Sequence, residues 1–348
     1  MVEDATGANI EWPHILRMLI NGEHLGRDLA KHVVAAMLAG EAEDGQIGAF
    51  LIGLAAKGET TDELLGMREA MFEVSVPLEL PENAVDIVGV GGAPRRRVAA
   101  FNVSTIAAVV ACAAGATICK HGNRKASSTS GSFDLLEALG VNIEASSEVV
   151  GSGVAQVGLG YAFARAHHPS MRHVGPVRAQ LGVPTVFNVL GPIAHPGQVK
   201  RQVLGVPDAR RAQQIADVVQ VTDAELVWVV HGHGDLDELA LTGPSNVIEV
   251  RGGEQRAFVV DPNDYGFQIA DEAEIRGGDA AVNKVITEEI FAGTPSANRN
   301  IVVLNAAAGL VVGGVVDDLA AGIAAAEAAI DDGRATAKLA DLVGHTNQ

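Results

Sequence analysis

Between Asp86 and Gly92 an apolar run meets a glycine turn: Asp86-Ile-Val-Gly-Val-Gly-Gly92 places three glycines within four residues. Val85–Val88 reads as a buried strand. The glycines free the backbone for positive φ and for close approach to a ligand. Asn102, Ser104 and Thr105 then stand where a helix over Ile106–Ala114 is expected to begin. A strand, a glycine turn and a helix start in that order predict an α/β sheet that binds at its strand ends. Exposed N–H groups and the helix dipole attract anions there. Lys120-His-Gly-Asn-Arg124 adds positive charge, and Ser127, Ser128, Ser130 and Ser132 add hydroxyls before a second helical pattern, Phe133–Leu139. Two such helix starts facing one basic segment suit a ligand with more than one phosphate. No Gly-Lys-Ser/Thr follows the glycines, so the Walker pattern is absent, and the third glycine of a dinucleotide fingerprint is missing.

The rest of the chain fits this frame. Residues 10–75 carry four helical patterns with short connections, so a small all-helical N-terminal domain is expected over 1–80, with 165–190 packing onto it. Pro77–Pro81 reads as the linker. From 84–164 and again over 191–348, strands and helices alternate, which predicts a larger α/β domain with a mostly parallel central sheet. The candidate strands are Val85–Val88, Thr117–Cys119, Val141–Ile143, Tyr161–Ala164, Val203–Val206, Leu226–His231 and Asn246–Val250. Residues 165–192 interrupt the alternation with the Arg165-Ala-His-His-Pro169 loop and a helix expected from Ser170 to Leu181.

Composition excludes several classes. A net charge of -18 and few aromatics (4%) disfavour a nucleic-acid partner. Cys112 and Cys119 lie in an apolar run and form no CxxC pair, so they read as buried free thiols of a reducing compartment. The longest nearly uncharged stretch, Val98–Cys119, reads as a buried helix and strand, not a membrane span. With acidic residues early and no apolar leader, a cytoplasmic, soluble protein is expected.

Further on, Asp237 and Glu238 are adjacent carboxylates in a loop beyond a strand, a solvated turn or a pair of hard oxygen ligands for Mg²⁺. His231 and His233 lack third and fourth partners for zinc. Arg178 is either a solvated charge or a guanidinium fork for a carboxylate. Arg276-Gly-Gly-Asp279 and Asn305-Ala-Ala-Ala308 precede helix-like runs, and the Ala-rich remainder carries no assigned chemistry.

Together, Lys120-His-Gly-Asn-Arg124 with Ser127-Ser128, the His167-His-Pro169 to Arg178 segment, Phe187-Asn188 to Gly191-Pro192, and Asp237-Glu238 resemble the anthranilate phosphoribosyltransferases along nearly the whole chain. The resemblance implies a magnesium-dependent glycosyltransferase of tryptophan biosynthesis with the nucleoside-phosphorylase type of fold. It implies phosphoribosyl pyrophosphate at Gly89, Gly91, Gly92, Asn102, Ser104, Thr105, Lys120, Gly122, Asn123, Arg124, Ser127, Ser128 and Ser132. It implies anthranilate at Gly89, Asn123, Arg178, His121 and His168, one Mg²⁺ on Ser104 and another on Asp237 and Glu238. No covalent nucleophile is implied; Arg178 and Lys120 would act by positioning. A homodimer through the helical domain is also expected. The chain departs from the family at the glycine turn, where Val90, Ala93 and Ala100 replace polar residues and Arg95, Arg96 and Arg97 add charge. That departure leaves room for a transferase with another aromatic acceptor, or for a non-catalytic binding protein of the same fold.

Overall fold

A computed structural model describes residues 10–91, 101–125 and 129–348 of the chain. Gly92, Ser127, Ser128 and the altered stretch from Ala93 to Ala100 therefore lie outside the described residues. The chain divides into two compact units, one running through Ser75 and including His168–Leu190, the other comprising Val76–His167 and Gly191–Gln348.

The first unit is helical. Its opening helices are α1 (Trp12–Ile20), α2 (Gly26–Ala39), α3 (Asp44–Lys57) and α4 (Thr61–Glu73). Trp12, Ile15 and Leu19 recur at helical spacing, so α1 buries one stripe, and the Trp12 ring meets Phe50 edge-on at 6.4 Å. Helix α4 begins with a capping box: Thr60 accepts from the Glu63 N–H while the Glu63 side chain receives the Thr60 N–H. Glu63 also accepts from the Leu25 N–H at 2.9 Å and from Lys57 Nζ at 2.9 Å, both partners of that ion pair being buried. One carboxylate thus joins the starts of α2 and α4 to the end of α3. Gly66 lets α4 lie against α2, since a Cβ there would run into the Arg27 carbonyl.

The second unit begins with β1 (Val85–Gly89), α5 (Val103–Ala113), β2 (Ile118–Gly122), α6 (Ser132–Ala138), α7 (Ser147–Val157), β3 (Leu159–Phe163) and the short α8 (Ala164–His167). The chain then contributes α9 (Gly175–Leu181) to the first unit, and α10 (Val186–Ile193) leads back. Instead of one helix over Ser170–Leu181, a 3₁₀ turn at Pro169–His173 precedes α9. A continuous helix would bury Pro176 in its interior, where proline removes a hydrogen bond and clashes with the preceding turn; as a break, Pro176 sits in the first turn of α9.

The remaining elements are β4 (Arg201–Gly205), α11 (Ala209–Gln220), β5 (Leu226–His231), β6 (Ser245–Arg251), β7 (Glu254–Val260), α12 (Ala280–Phe291), α13 (Ala297–Val312), α14 (Leu319–Asp331) and α15 (Arg334–Thr346). The seven strands form one sheet in the order β3-β2-β1-β4-β5-β6-β7. All pairings from β3 to β5 are parallel, and β6 and β7 are antiparallel. Strand β7 was not expected from the sequence. It is an edge strand with mostly exposed residues, joined to β6 by Gly252-Gly253, both with positive φ, so it lacks the apolar run of a buried strand.

Val141–Ile143, expected as a strand, is irregular. Val141 and Ile143 are buried in the core, but the Asn142 N–H donates to Thr346 Oγ1 and the Glu144 N–H to Asn142 Oδ1, so side chains replace a ladder. Asn305 likewise lies inside α13, not ahead of a helix. Helices α5 and α13, almost wholly buried, pack on each other and against the sheet. Cys112 and Cys119 are free and buried; burial pushes the Cys112 thiol up to about 11.

Candidate active site

The sheet reverses its direction of growth between β1 and β4, and crevices form where that happens. Gly89 and Gly205 end these two strands as direct partners. Neither could bear a side chain, because a Cβ at Gly89 would fall on the Asp237 carboxylate and one at Gly205 on the Asp237 main chain. The Gly91 N–H donates to Asp237 Oδ2 at 2.9 Å, with Gly91 at φ +70. The glycine turn and the acidic loop, 146 residues apart, are thus one structure. Behind it Asn305 of α13 accepts from the Leu239 N–H at 3.0 Å and donates to the Leu239 carbonyl at 2.9 Å, which fixes the chain just after Asp237 and Glu238. Both carboxylate residues are largely buried.

Lys120 lies on β2, nearly inaccessible to solvent at 3%. Burial pulls its ammonium below the usual lysine range, against the upward pull of Asp86, Glu238 and Asp237 in that order. Its Nζ donates to the His121 carbonyl at 3.1 Å. The His121 N–H donates to Asp86 Oδ1 at 3.1 Å, and Gln202 Nε2 to Asp86 Oδ2 at 3.3 Å. Burial pushes the Asp86 carboxyl up to about 7, against the lowering effect of Lys120 and these hydrogen bonds. His195 stands edge-on to His121 at 5.6 Å, its Nε2 3.0 Å from the Cys119 carbonyl.

Asn102 occupies the N-cap position of α5, yet its side chain makes no cap. It instead accepts from Ser130 Oγ at 3.0 Å and from Asn283 Nδ2 of α12 at 2.8 Å. Ser104 and Thr105 follow in the first turn, so the hydroxyl-bearing helix start read from the sequence is present without that side-chain cap. Beyond β2, Ser132 Oγ donates to the Asn123 carbonyl at 3.1 Å, and the space a Cβ of Gly122 would need is taken by Ser132. Asp134 receives the Lys125 and Gly131 N–H groups and so clips both ends of the serine segment. Arg124 is paired with Glu137 at 2.9 Å and Asp134 at 3.2 Å. Its charge is thus already met by carboxylates, a feature that the basic run alone does not reveal.

In the helical unit, Arg178 is half-buried, and its guanidinium lies 5.4 Å from the centre of the Phe187 ring. Burial lowers its pKa. Its one hydrogen bond to another described residue, 3.3 Å from Nη2, goes to Asn188 Oδ1, which also receives the Thr185 N–H at 3.0 Å. No carboxylate among the described residues pairs with this guanidinium. His168 is buried nearby in sequence.

Sequence reasoning missed Asp86, Gln202 and Asn283. Asp86 opens the glycine-turn stretch but, like Gln202 and Asn283, lies inside a strand or helix and reads as structural until its partners are known. Among the described residues no group of three or more His, Cys, Asp or Glu could hold a metal. Asp237 and Glu238 alone are hard oxygen donors of the kind Mg²⁺ takes together with substrate phosphates.

These features define a two-part glycosyl transferase: the a/b-domain model of that family matches residues 81–336, and its helical-bundle model matches residues 13–75. Anthranilate phosphoribosyltransferase of Afipia carboxidovorans is 43% identical over 94% of this chain and 97% of its own length. That of Parvibaculum lavamentivorans is 43% identical over 96% and 97%. The crystal structure of the Thermus thermophilus enzyme superposes with a TM-score of 0.89 at 38% identity, covering 96% of this chain and 99% of that one. The Saccharomyces cerevisiae enzyme, in complex with PRPP and Mg, shares the fold at a TM-score of 0.87 and 24% identity. The chain belongs to the anthranilate phosphoribosyltransferase family.

Proposed function

We propose that the chain transfers the phosphoribosyl group of phosphoribosyl pyrophosphate to the amine of anthranilate, giving N-(5-phosphoribosyl)anthranilate and pyrophosphate in tryptophan biosynthesis. The observation that carries this reading is the buried Lys120, whose ammonium feels the charges of Asp86, Glu238 and Asp237, while Asp237 is locked to the glycine turn at the sheet's point of reversal.

In the reaction the bond from the anomeric carbon to pyrophosphate breaks, and its electron pair leaves with the pyrophosphate. A bond forms from the aryl amine nitrogen to that carbon, and the amine releases a proton to solvent. Charge therefore grows on the leaving group, where the N–H groups at the start of α5 and the Lys120 ammonium are positioned to offset it. Asn102, Ser104, Thr105, Gly122, Asn123, Arg124 and Ser132 complete the donor contacts in this reading, with Gly89 and Gly91 giving close approach of the backbone. Ser104 would hold one Mg²⁺ and Asp237 with Glu238 another, which when bound would neutralise the phosphates. Arg178 grips the acceptor carboxylate, with His121, His168, Asn123 and Gly89 at the acceptor. An aryl amine needs no strong base, so positioning supplies much of the rate.

The assay is loss of anthranilate fluorescence on adding phosphoribosyl pyrophosphate and Mg²⁺. Turnover at micromolar to millimolar substrate is expected, and none would refute the reading. A better acceptor in a screen of aromatic amines would favour the alternative that the changed Val90 position motivates. We also assign the chain a homodimer through the helical unit, supported by Ile20 at 80% and Ile52 at 43% exposure. Light scattering of the purified protein tests it.

A further inference from the structure

We propose that Asp86 is a positioning residue for the donor site: its buried carboxylate holds the end of β2 at His121 and balances the charge of Lys120. The sheet itself creates the need. Strands β1 and β4 pair over five rungs, from Val85↔Arg201 to Gly89↔Gly205, and β2 and β3 over five, whereas β1 and β2 share only Val85↔Ile118. The two strands that bear the glycine turn and the basic segment therefore run side by side without ladder pairing toward their C-terminal ends. Ladder bonds cannot fix β2 there on its β1 side. The Asp86 side chain takes their place, receiving the His121 N–H from β2 and the Gln202 amide from β4.

Gln202 is the direct partner of Asp86 across the β1–β4 pair and also donates to the Pro192 carbonyl at 3.0 Å, so the carboxylate is anchored from behind. The main chain of His121 is held at both of its polar groups, its N–H by Asp86 and its carbonyl by Lys120 Nζ. Asp86 exerts the strongest charge attraction on Lys120, ahead of Glu238 and Asp237. The position is fully buried. A carboxylate kept in such a place costs stability, because burial disfavours its charged form. A neutral amide would accept the same His121 N–H, but its NH2 group would face the Gln202 amide, which the Pro192 carbonyl holds in place; only a carboxylate accepts from both sides and also opposes the Lys120 charge.

The inference rests on the donor being bound at this strand end, and the test separates the two. Wild-type turnover, phosphoribosyl pyrophosphate affinity by calorimetry, both KM values and Tm are measured for Asp86→Asn and for the swap Asp86→Asn/Gln202→Glu. Asp86→Asn keeps an oxygen for His121 but removes the charge. It is expected to weaken donor affinity and raise the donor KM on the order of tenfold and to leave the anthranilate KM within about twofold. The swap keeps one negative charge in an amide–carboxylate pair, though it turns a carboxylate toward the Pro192 carbonyl, and is expected to recover part of the donor affinity. Unchanged donor affinity in Asp86→Asn overturns the proposal. So do equal losses for both substrates, or a swap with the single variant's Tm or better that binds the donor no more tightly than the single variant. An inactive wild type that does not bind the donor overturns this proposal and the functional reading together; a wild type that turns over, beside an unaffected Asp86→Asn, overturns this one alone.

Discussion

Arg178 is the residue whose environment is most at odds with a structural role, since its guanidinium is partly desolvated yet among the described residues meets an amide oxygen and a ring face and no carboxylate. Arg178→Ala is expected to raise the anthranilate KM about ten- to a hundredfold, the worth of a charge-assisted pair, with the donor KM unchanged. Steady-state kinetics with each substrate varied in turn check it. Asp237→Asn with Glu238→Gln should shift the Mg²⁺ dependence of turnover to higher concentration; an unchanged titration would remove both from the metal site. These residues were singled out from the sequence because they stand in the segments that carry the family resemblance. Asp86, Gln202 and Asn283 were not, because their meaning lies in pairings across 35, 116 and 181 residues of chain. Arg124 shows the reverse: the motif was plain, but Glu137, 13 residues further on in α6, already holds its charge.

Elements were legible where burial and local rules agreed. The four opening helices follow their apolar stripes and caps, and β5 follows its uninterrupted apolar run. Misreadings fell where one of those signals was missing or borrowed. Val141–Ile143 alternates like a strand because alternate residues are buried, yet its backbone bonds to Asn142 and Thr346 side chains. Strand β7 lies at an edge and needs few apolar residues. The contact of α2 with α4 depends on Gly66, whose missing Cβ admits the Arg27 carbonyl. Gly66→Ala would gain helix propensity, but the added methyl meets backbone that cannot swing away. A net loss of about 1–3 kcal/mol is expected, read from the midpoint and slope of urea unfolding.

For the whole molecule, two units with separate cores predict that unfolding is not two-state. Calorimetry should give an enthalpy that exceeds the van't Hoff value. Glu63→Gln should move only the transition of the helical unit, with a loss on the order of 3–5 kcal/mol for breaking a buried pair. Burial tends to raise the Glu63 pKa, but hydrogen bonds from Leu25, Lys57 and Thr60 outweigh it, so the folded value lies below 4.5. Glu63 therefore adds stability that is present above pH 4.5 and lost as pH falls through the folded value. Glu63→Gln should flatten that acid limb, and Tm measured from pH 3 to pH 7 checks it.

The way two strands end at Gly89 and Gly205 has a consequence for how such a chain can change over time. Any side chain gained at either position must evict Asp237, and a displaced Asp237 leaves the Gly91 amide without its acceptor. The three positions can drift only as a set, so a lineage that loses one glycine is committed to rebuilding the acidic loop or abandoning the chemistry it serves.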